Sequence, residues 1–265
     1  MEATLASEHR APGEPSALDA PFEEALETLL AGRSYLYRLG QRLFGDEPDE
    51  ALLREALSPL ALEALGLFVD LEAGEAAAAV RVLGTACASF DARSEAFADD
   101  ARAEYTRLFL GPGTLPSPPW ESAHVSSDRT LFNAATLEVR RFYASKGFRP
   151  REYPHVADDH LALELDFLAA LSRESLVALR AGDFDSLRAL LRDQREFLHA
   201  HPMRWVESFA TQMSQSPTKT GEPDPAMPYA AFASLAATFI AGDAEAVDDM
   251  LDALEQPRKP RPTGR

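Results

Sequence analysis

The chain has 265 residues, 46% of them hydrophobic, enough for one large domain or two small ones to bury a core without help. A lone cysteine, Cys87, excludes an internal disulfide framework and any multi-cysteine zinc or iron–sulfur site. With 43 acidic against 26 basic residues the formal charge is −17, which repels a nucleic-acid backbone and favours a basic or apolar-basic partner.

Residues 1–20 carry Glu2, Glu8, Glu14 and Asp19 against Arg10, with no apolar run, so they lack the segments of an export signal. A loosely ordered, acidic start is expected. No 18 consecutive apolar residues occur anywhere, so no stable membrane insertion is expected and the protein reads as soluble and cytoplasmic.

From Phe22 to Phe44, Leu26, Leu29, Leu30, Leu36, Leu39 and Leu43 recur every three or four residues, the period of a helix with one buried face. Pro48 can start a short second helix, and Ser58-Pro59 can cap and start a third through Asp70. Val80, Leu83, Cys87 and Phe90 make one stripe over 76–90, which reads Cys87 as a small core residue. Ser94 can cap a further helix with Phe97, Ala101, Tyr105, Leu108 and Phe109 inside, ending at Gly111-Pro112-Gly113.

Residues 111–122, GPGTLPSPPWES, hold four prolines and two glycines, too rigid for a helix or central strand, and form a loop that presents Trp120. Ser127 or Asp128 can cap the next helix, with Leu131, Ala135, Val139 and Phe142 inside and Gly147 as its C-cap; a polar loop covers 148–157. Asp158 is placed to cap a long helix through Ala181, closed by Gly182, and another helix runs from Phe184 to Leu198. His201-Pro202 interrupts that helix or begins one containing Trp205, Val206 and Phe209. Residues 211–225 read as a mobile loop. Two last stripes, Tyr229 to Phe239 and Val247 to Leu254, are separated by Gly242-Asp243, and a disordered tail runs from Gln256. The sum is an all-α, single-domain bundle of about ten helices spanning 21–255, with no convincing strand.

Nucleotide-loop, zinc-protease and nucleophile-elbow motifs are absent, which weakens a catalytic reading. The densest polar cluster is His155, Asp159, His160 and Glu164, the last two one helical turn apart. One helix offers too few convergent ligands for a metal. A plainer account has Asp159 favouring the exposed amides of a helix start while His160 bonds Glu164 or a nearby carbonyl. The Trp120 loop and the His201–Trp205 pair fit either a structural plug or a stiff aromatic surface that binds at low entropic cost.

The stretch YTRLFLGPGTLPSPPWES (Tyr105 to Ser122), followed by Leu131-Phe132, Phe142-Tyr143 with Gly147, and DDHLALELDFLAAL from Asp158, resembles the TorD/DmsD-like redox enzyme maturation chaperones, the cytoplasmic chaperones of molybdenum reductases. The likeness is firmest over Phe97 to Leu171 and extends to His201 and Trp205. It implies an all-helical chaperone, not an enzyme, that binds an apo-molybdoenzyme and its twin-arginine leader before cofactor insertion and export. No tightly bound cofactor is implied, only transient contact with the client's molybdopterin; either a monomer or a dimer is compatible.

By the same resemblance, Gly111, Trp120, Asp159 and His160 are expected to recognise the leader, with His201 and Trp205 beside them. The family pattern Glu-Pro-x-Asp-His is here Val156-Ala157-Asp158-Asp159-His160, which keeps the Asp-His pair without the acid and proline before it. A carboxylate beside an apolar groove suits paired arginines followed by an apolar segment, and Asp159 with Trp120 is expected to supply both. The rival readings are a nitrate-reductase-type assembly chaperone that acts without a leader, and a metal-dependent enzyme using Asp159, His160 and Glu164.

Overall fold

The computed structural model describes residues 20–111, 114–125, 134–149, 157–216 and 227–255, and these are helical throughout apart from short connections. Helix α1 (Ala20–Gly45) buries Leu26, Leu30, Leu36, Tyr37, Leu43 and Phe44, the face its periodicity predicts. It packs most extensively on α7 (Leu161–Ala181). Two glycines allow that approach: a Cβ on Gly40 would lie 3.1 Å from Leu165 Cδ1, and one on Gly45 only 2.9 Å from Ala162 Cβ.

Helix α2 (Glu50–Ala56) is capped by Asp49, whose Oδ1 accepts from the Leu52 amide at 2.7 Å, so Pro48 stands before the cap instead of opening the helix. Helix α3 (Pro59–Leu65) has the expected Ser58 cap and Pro59 start but ends at Leu65, short of Asp70. The two helices expected over 76–109 are one, α4 (Gly74–Tyr105), bent where Arg93 leaves helical geometry (φ −155°, ψ 55°), immediately before the foreseen Ser94 cap. A π-helical turn, Thr106–Leu110, continues it. Cys87 is half-buried at the edge of the core, its Sγ 3.9 Å from Asp91 Oδ2.

Helix α5 (Glu121–Val125) begins inside the stretch expected to be loop. Helix α6 (Ala134–Ser145) ends at Gly147, whose φ of +69° suits glycine. The suggested caps Ser127 and Asp128 lie outside the described residues, as do residues 1–19, 217–226 and the tail from 256. Helix α7 closes on Gly182 (φ +70°), and α8 (Phe184–Ala200) starts from Asp183, whose Oδ1 accepts the Ser186 amide at 3.0 Å. A 3-10 turn (Pro202–Arg204) leads into α9 (Val206–Ser214), which extends into the expected 211–225 loop.

The stripes of the last segment form a single helix, α10 (Tyr229–Glu255). Gly242-Asp243 does not break it because neither residue turns to its own backbone. Asp243 is fully buried and accepts from Arg33 Nη2 at 2.9 Å, from Arg33 Nε and from Tyr37 Oη. Gly242 makes room for the Phe68 carbonyl, which would lie 2.1 Å from an added Cβ. By length and hydropathy α10 could cross a membrane, yet Phe232, Leu235, Ile240, Val247 and Leu251 are buried in the protein's own core. That core is one cluster reaching from Leu26 on α1 to Leu254 on α10.

Candidate functional site

The proline-rich loop is tied down along its described length. Ser117 Oγ donates to the Phe209 carbonyl at 2.9 Å, and His124 Nε2 lies 2.8 Å from the Pro118 carbonyl while its Nδ1 lies 3.2 Å from Ser208 Oγ. The loop then meets the entrance of α7 in a short antiparallel bridge between Trp120 and His160. There the Leu161 amide donates to the Pro119 carbonyl and the Glu121 amide to the Asp159 carbonyl, both at 2.9 Å. Trp120 and His160 also meet edge to face, with ring centroids 5.2 Å apart.

His160, not Asp158, caps α7: its Nδ1 accepts from the Ala162 amide at 3.1 Å. An imidazole that accepts at Nδ1 carries its proton on Nε2, and burial pushes its pKa down to about 4, with the Asp159 charge opposing only in part. Asp158 instead pairs with Arg140, whose Nη2 lies 2.6 Å from Oδ2, tying α6 to the same entrance. Of the two partners expected for the His160 ring, Glu164 or a nearby carbonyl, the Glu164 carboxylate is not one, although the Glu164 amide donates to the His160 carbonyl at 3.1 Å. Glu164 Oε2 accepts from Trp205 Nε1 at 3.2 Å, and its Oε1 is buried with no partner among the described residues.

The side chain of Asp159 is fully buried. Oδ2 accepts from the Ser122 amide at 2.8 Å, at the first turn of α5, and Oδ1 has no hydrogen-bond partner among the described residues. On the far side of α5, Glu121 is equally buried; its Oε2 pairs with His201 Nδ1 at 2.9 Å and its Oε1 with Arg204 Nη1 at 3.4 Å. Burial, helped by the charges of Glu121 and Asp159, raises the Glu164 pKa well above the usual carboxyl range and favours the neutral acid. Trp205 is 1% exposed.

The accessible feature is a groove of about 610 Å³ between the end of α1, the π turn and the start of α7. Tyr105, Phe109 and Leu110 supply apolar surface, Leu110 being 62% exposed. Trp120, His160 and Leu163 form the opposite wall, and Arg38, Arg42, Asp46 and Asp166 line it with both signs of charge. Burial, with smaller contributions from the charges of Asp46 and Glu47, raises the pKa of the Tyr105 hydroxyl to about 12.

Of the six residues expected to form one surface, Trp120 and His160 line the groove, and Gly111 directly follows Leu110 on its rim. The backbone of Gly111 (φ −58°, ψ 155°) is open to any residue. Asp159, His201 and Trp205 stand behind the groove in the buried network, so the picture of Asp159 presenting its carboxylate beside Trp120 does not hold. Sequence reading missed Asp46, Asp166 and Glu121. Asp166 was within reach, since His160, Leu163 and Asp166 repeat every three residues along one helix. Glu121 carried no local signal, its partners lying 80 residues away. Among the described residues no group of three or more His, Cys, Asp or Glu side chains could hold a metal ion, and Glu164 is engaged with Trp205.

These features define an all-α protein in which a proline-stiffened loop is clamped across the start of a long helix. The nitrate reductase delta subunit family model matches residues 69–211, just over half of the chain, and the chain belongs to that family, which includes TorD- and DmsD-type redox enzyme maturation chaperones. The chaperone protein TorD of Vibrio cholerae serotype O1 is 28% identical over 149 residues, 56% of this chain and 62% of that protein. The probable Tat proofreading chaperone DmsD of Haemophilus influenzae is 28% identical over 112 residues, 42% of this chain and 48% of its own. The match therefore spans less than two thirds of either relative. A redox enzyme maturation protein from Archaeoglobus fulgidus, described as putative, covers 83% of this chain and 93% of its own at 21% identity, with a TM-score of 0.40. The relatives are named as chaperones and not as catalysts.

Proposed function

We propose that the protein is a cytoplasmic maturation chaperone of a molybdopterin-containing oxidoreductase, taking the twin-arginine leader of the apo-enzyme into the groove beside Trp120. The carrying observation is the pairing, in one accessible cleft, of an aromatic and aliphatic wall (Phe109, Leu110, Trp120) with the carboxylates of Asp46 and Asp166. An arginine followed by an apolar segment matches that lining. The volume lies within the roughly 300–1,000 Å³ of ordinary ligand clefts, so it fits part of a leader and not a folded domain. Charged contacts in a partly desolvated groove are worth roughly 1.5–3 kcal/mol against 0–1 on open surface. The −17 formal charge therefore speeds encounter while the groove fixes affinity. The protein brings no cofactor of its own, and contact with the client's molybdopterin is transient.

A second reading, assembly of a nitrate-reductase-type catalytic subunit without a leader, is favoured by the description of the matching family model. Calorimetric titration with the leader of a molybdenum reductase, and with the apo-enzyme before and after leader deletion, separates the two. Binding that persists at full strength after deletion supports the second reading and sinks the first. Asp46→Asn should weaken leader binding several-fold, whereas Glu75→Gln at the exposed start of α4 should not.

A further inference from the structure

Asp159 occupies an unusual place for a residue expected to meet a ligand, since its carboxylate is wholly inside the protein and points at the main chain of another segment. Its side chain does for α5 what an N-cap does, accepting the Ser122 amide from outside the helix. The carbonyl of the same residue holds the Glu121 amide, so one residue makes two of the bonds that fix the backbone on the C-terminal side of Trp120. The Glu121 side chain is in turn fixed by His201 and Arg204. A five-residue helix cannot hold its own shape, so these outside contacts decide where Trp120 stands.

We propose that Asp159 and Glu121 are positioning residues: they clamp α5 between the entrance of α7 and the α8–α9 connection and thereby hold the Trp120 ring in the groove wall. This rests on the groove's being the leader site, and it gives Asp159 a role that acts through Trp120 without touching the peptide. A positioning role and a charge contact differ in what they require. The clamp needs an acceptor of the right shape at Asp159 Oδ2, which an amide oxygen supplies, while an ion pair with a leader arginine needs the negative charge itself. In Asp159→Asn the amide nitrogen would take the place of Oδ1, which has no partner among the described residues, so the bond from the Ser122 amide is kept.

The test uses the full chain labelled with 5-fluorotryptophan, whose two tryptophans give two fluorine resonances assigned through Trp120→Phe. Measured without peptide at ~0.15 M salt, where long-range charge effects are screened within about 8 Å, Asp159→Ala and Glu121→Ala should each displace or broaden the Trp120 resonance, and Asp159→Asn should leave it in place. Leader affinity by calorimetry should fall at least about tenfold in both alanine variants and stay within about threefold of the parent in Asp159→Asn. A loss beyond about tenfold in Asp159→Asn overturns the proposal, as does an unmoved Trp120 resonance in Glu121→Ala. If Asp159→Ala does not fold, those two variants still decide. Failure of the parent protein to bind any leader would refute the proposed function alone, because the fluorine measurements test the clamp in the free protein.

Discussion

Two clusters of buried acid in this protein are built on opposite plans. At the α1–α10 contact, Asp243 spends both oxygens on Arg33 and Tyr37, so a full negative charge faces a full positive one in a dry setting. At the α5–α7 junction only Glu121 meets cationic partners, a half-exposed Arg204 and the imidazole of His201, while Asp159 and Glu164 accept from the Ser122 amide and Trp205 and each keep one oxygen without a partner among the described residues. The first arrangement joins the chain's first and last described helices and is fixed by charge. The second holds a loop in place and is relieved by keeping Glu164 neutral, so it answers to pH.

The sharpest way to test that contrast is to remove one charge from the matched pair. Arg33→Ala leaves Asp243 buried and uncompensated, and should cost about 3–5 kcal/mol in urea denaturation. Replacing both partners together, Arg33→Met with Asp243→Leu, should recover most of that loss, because a well-packed apolar pair avoids the desolvation penalty of two ions. No recovery would mean that the pair carries more than mutual neutralisation.

Gly242→Ala probes the same contact with a smaller change. On an open helix the substitution would gain about 1 kcal/mol. Here the new Cβ would fall 2.1 Å from the Phe68 carbonyl, a backbone atom that cannot rotate aside. The sign should therefore reverse, to a loss of about 1–3 kcal/mol by thermal or urea unfolding. A gain would show that the segment around Phe68 moves freely and that its approach to α10 is incidental.

The same two residues show how far sequence alone could reach. Where a helix boundary is decided within one turn, the chemistry is local and legible: Ser58-Pro59 opens α3, and Gly147 and Gly182 close α6 and α7 with left-handed backbones. Gly242-Asp243 has the composition of a break, but its outcome depends on Arg33, 210 residues away, and on the Phe68 carbonyl. Asp159 repeats the lesson at the site. Its neighbourhood with Trp120 was visible in the motif order, whereas the direction of its carboxylate, inward to the Ser122 amide, was set by how loop and helix cross. Spacing likewise favoured Asp158 as the α7 cap, until pairing with Arg140 left that task to His160. Periodicity reveals which residues share a face of one helix, which put Asp166 within reach although it was missed, and left Glu121 beyond it.

The unmatched cluster yields the smallest effects and the clearest signature, a stability profile that bends on both sides. His160 has its pKa lowered to about 4 in the folded protein, so as pH falls below its unfolded value of 6.5 the unfolded chain takes up the proton first. Stability present above that pH is lost on the way down to about 4. Glu164 works in the other direction: its folded pKa is raised, so its contribution is complete in acid and lost as pH climbs through the folded pKa. With the His160 ring partly exposed, its limb is worth on the order of 1–2 kcal/mol. Urea midpoints measured from pH 4 to 9 should show His160→Asn, which keeps a cap acceptor for the Ala162 amide, flattening only the acid limb. Glu164→Gln, which keeps an acceptor for Trp205, should remove the loss of stability that accompanies rising pH and leave the His160 contribution in place. Replacing the Arg33–Asp243 contact by the apolar pair should leave both limbs in place, since it alters neither His160 nor Glu164. If both limbs survive Glu164→Gln and His160→Asn, the pH response belongs elsewhere in the chain and the contrast between the two acid clusters is one of geometry alone.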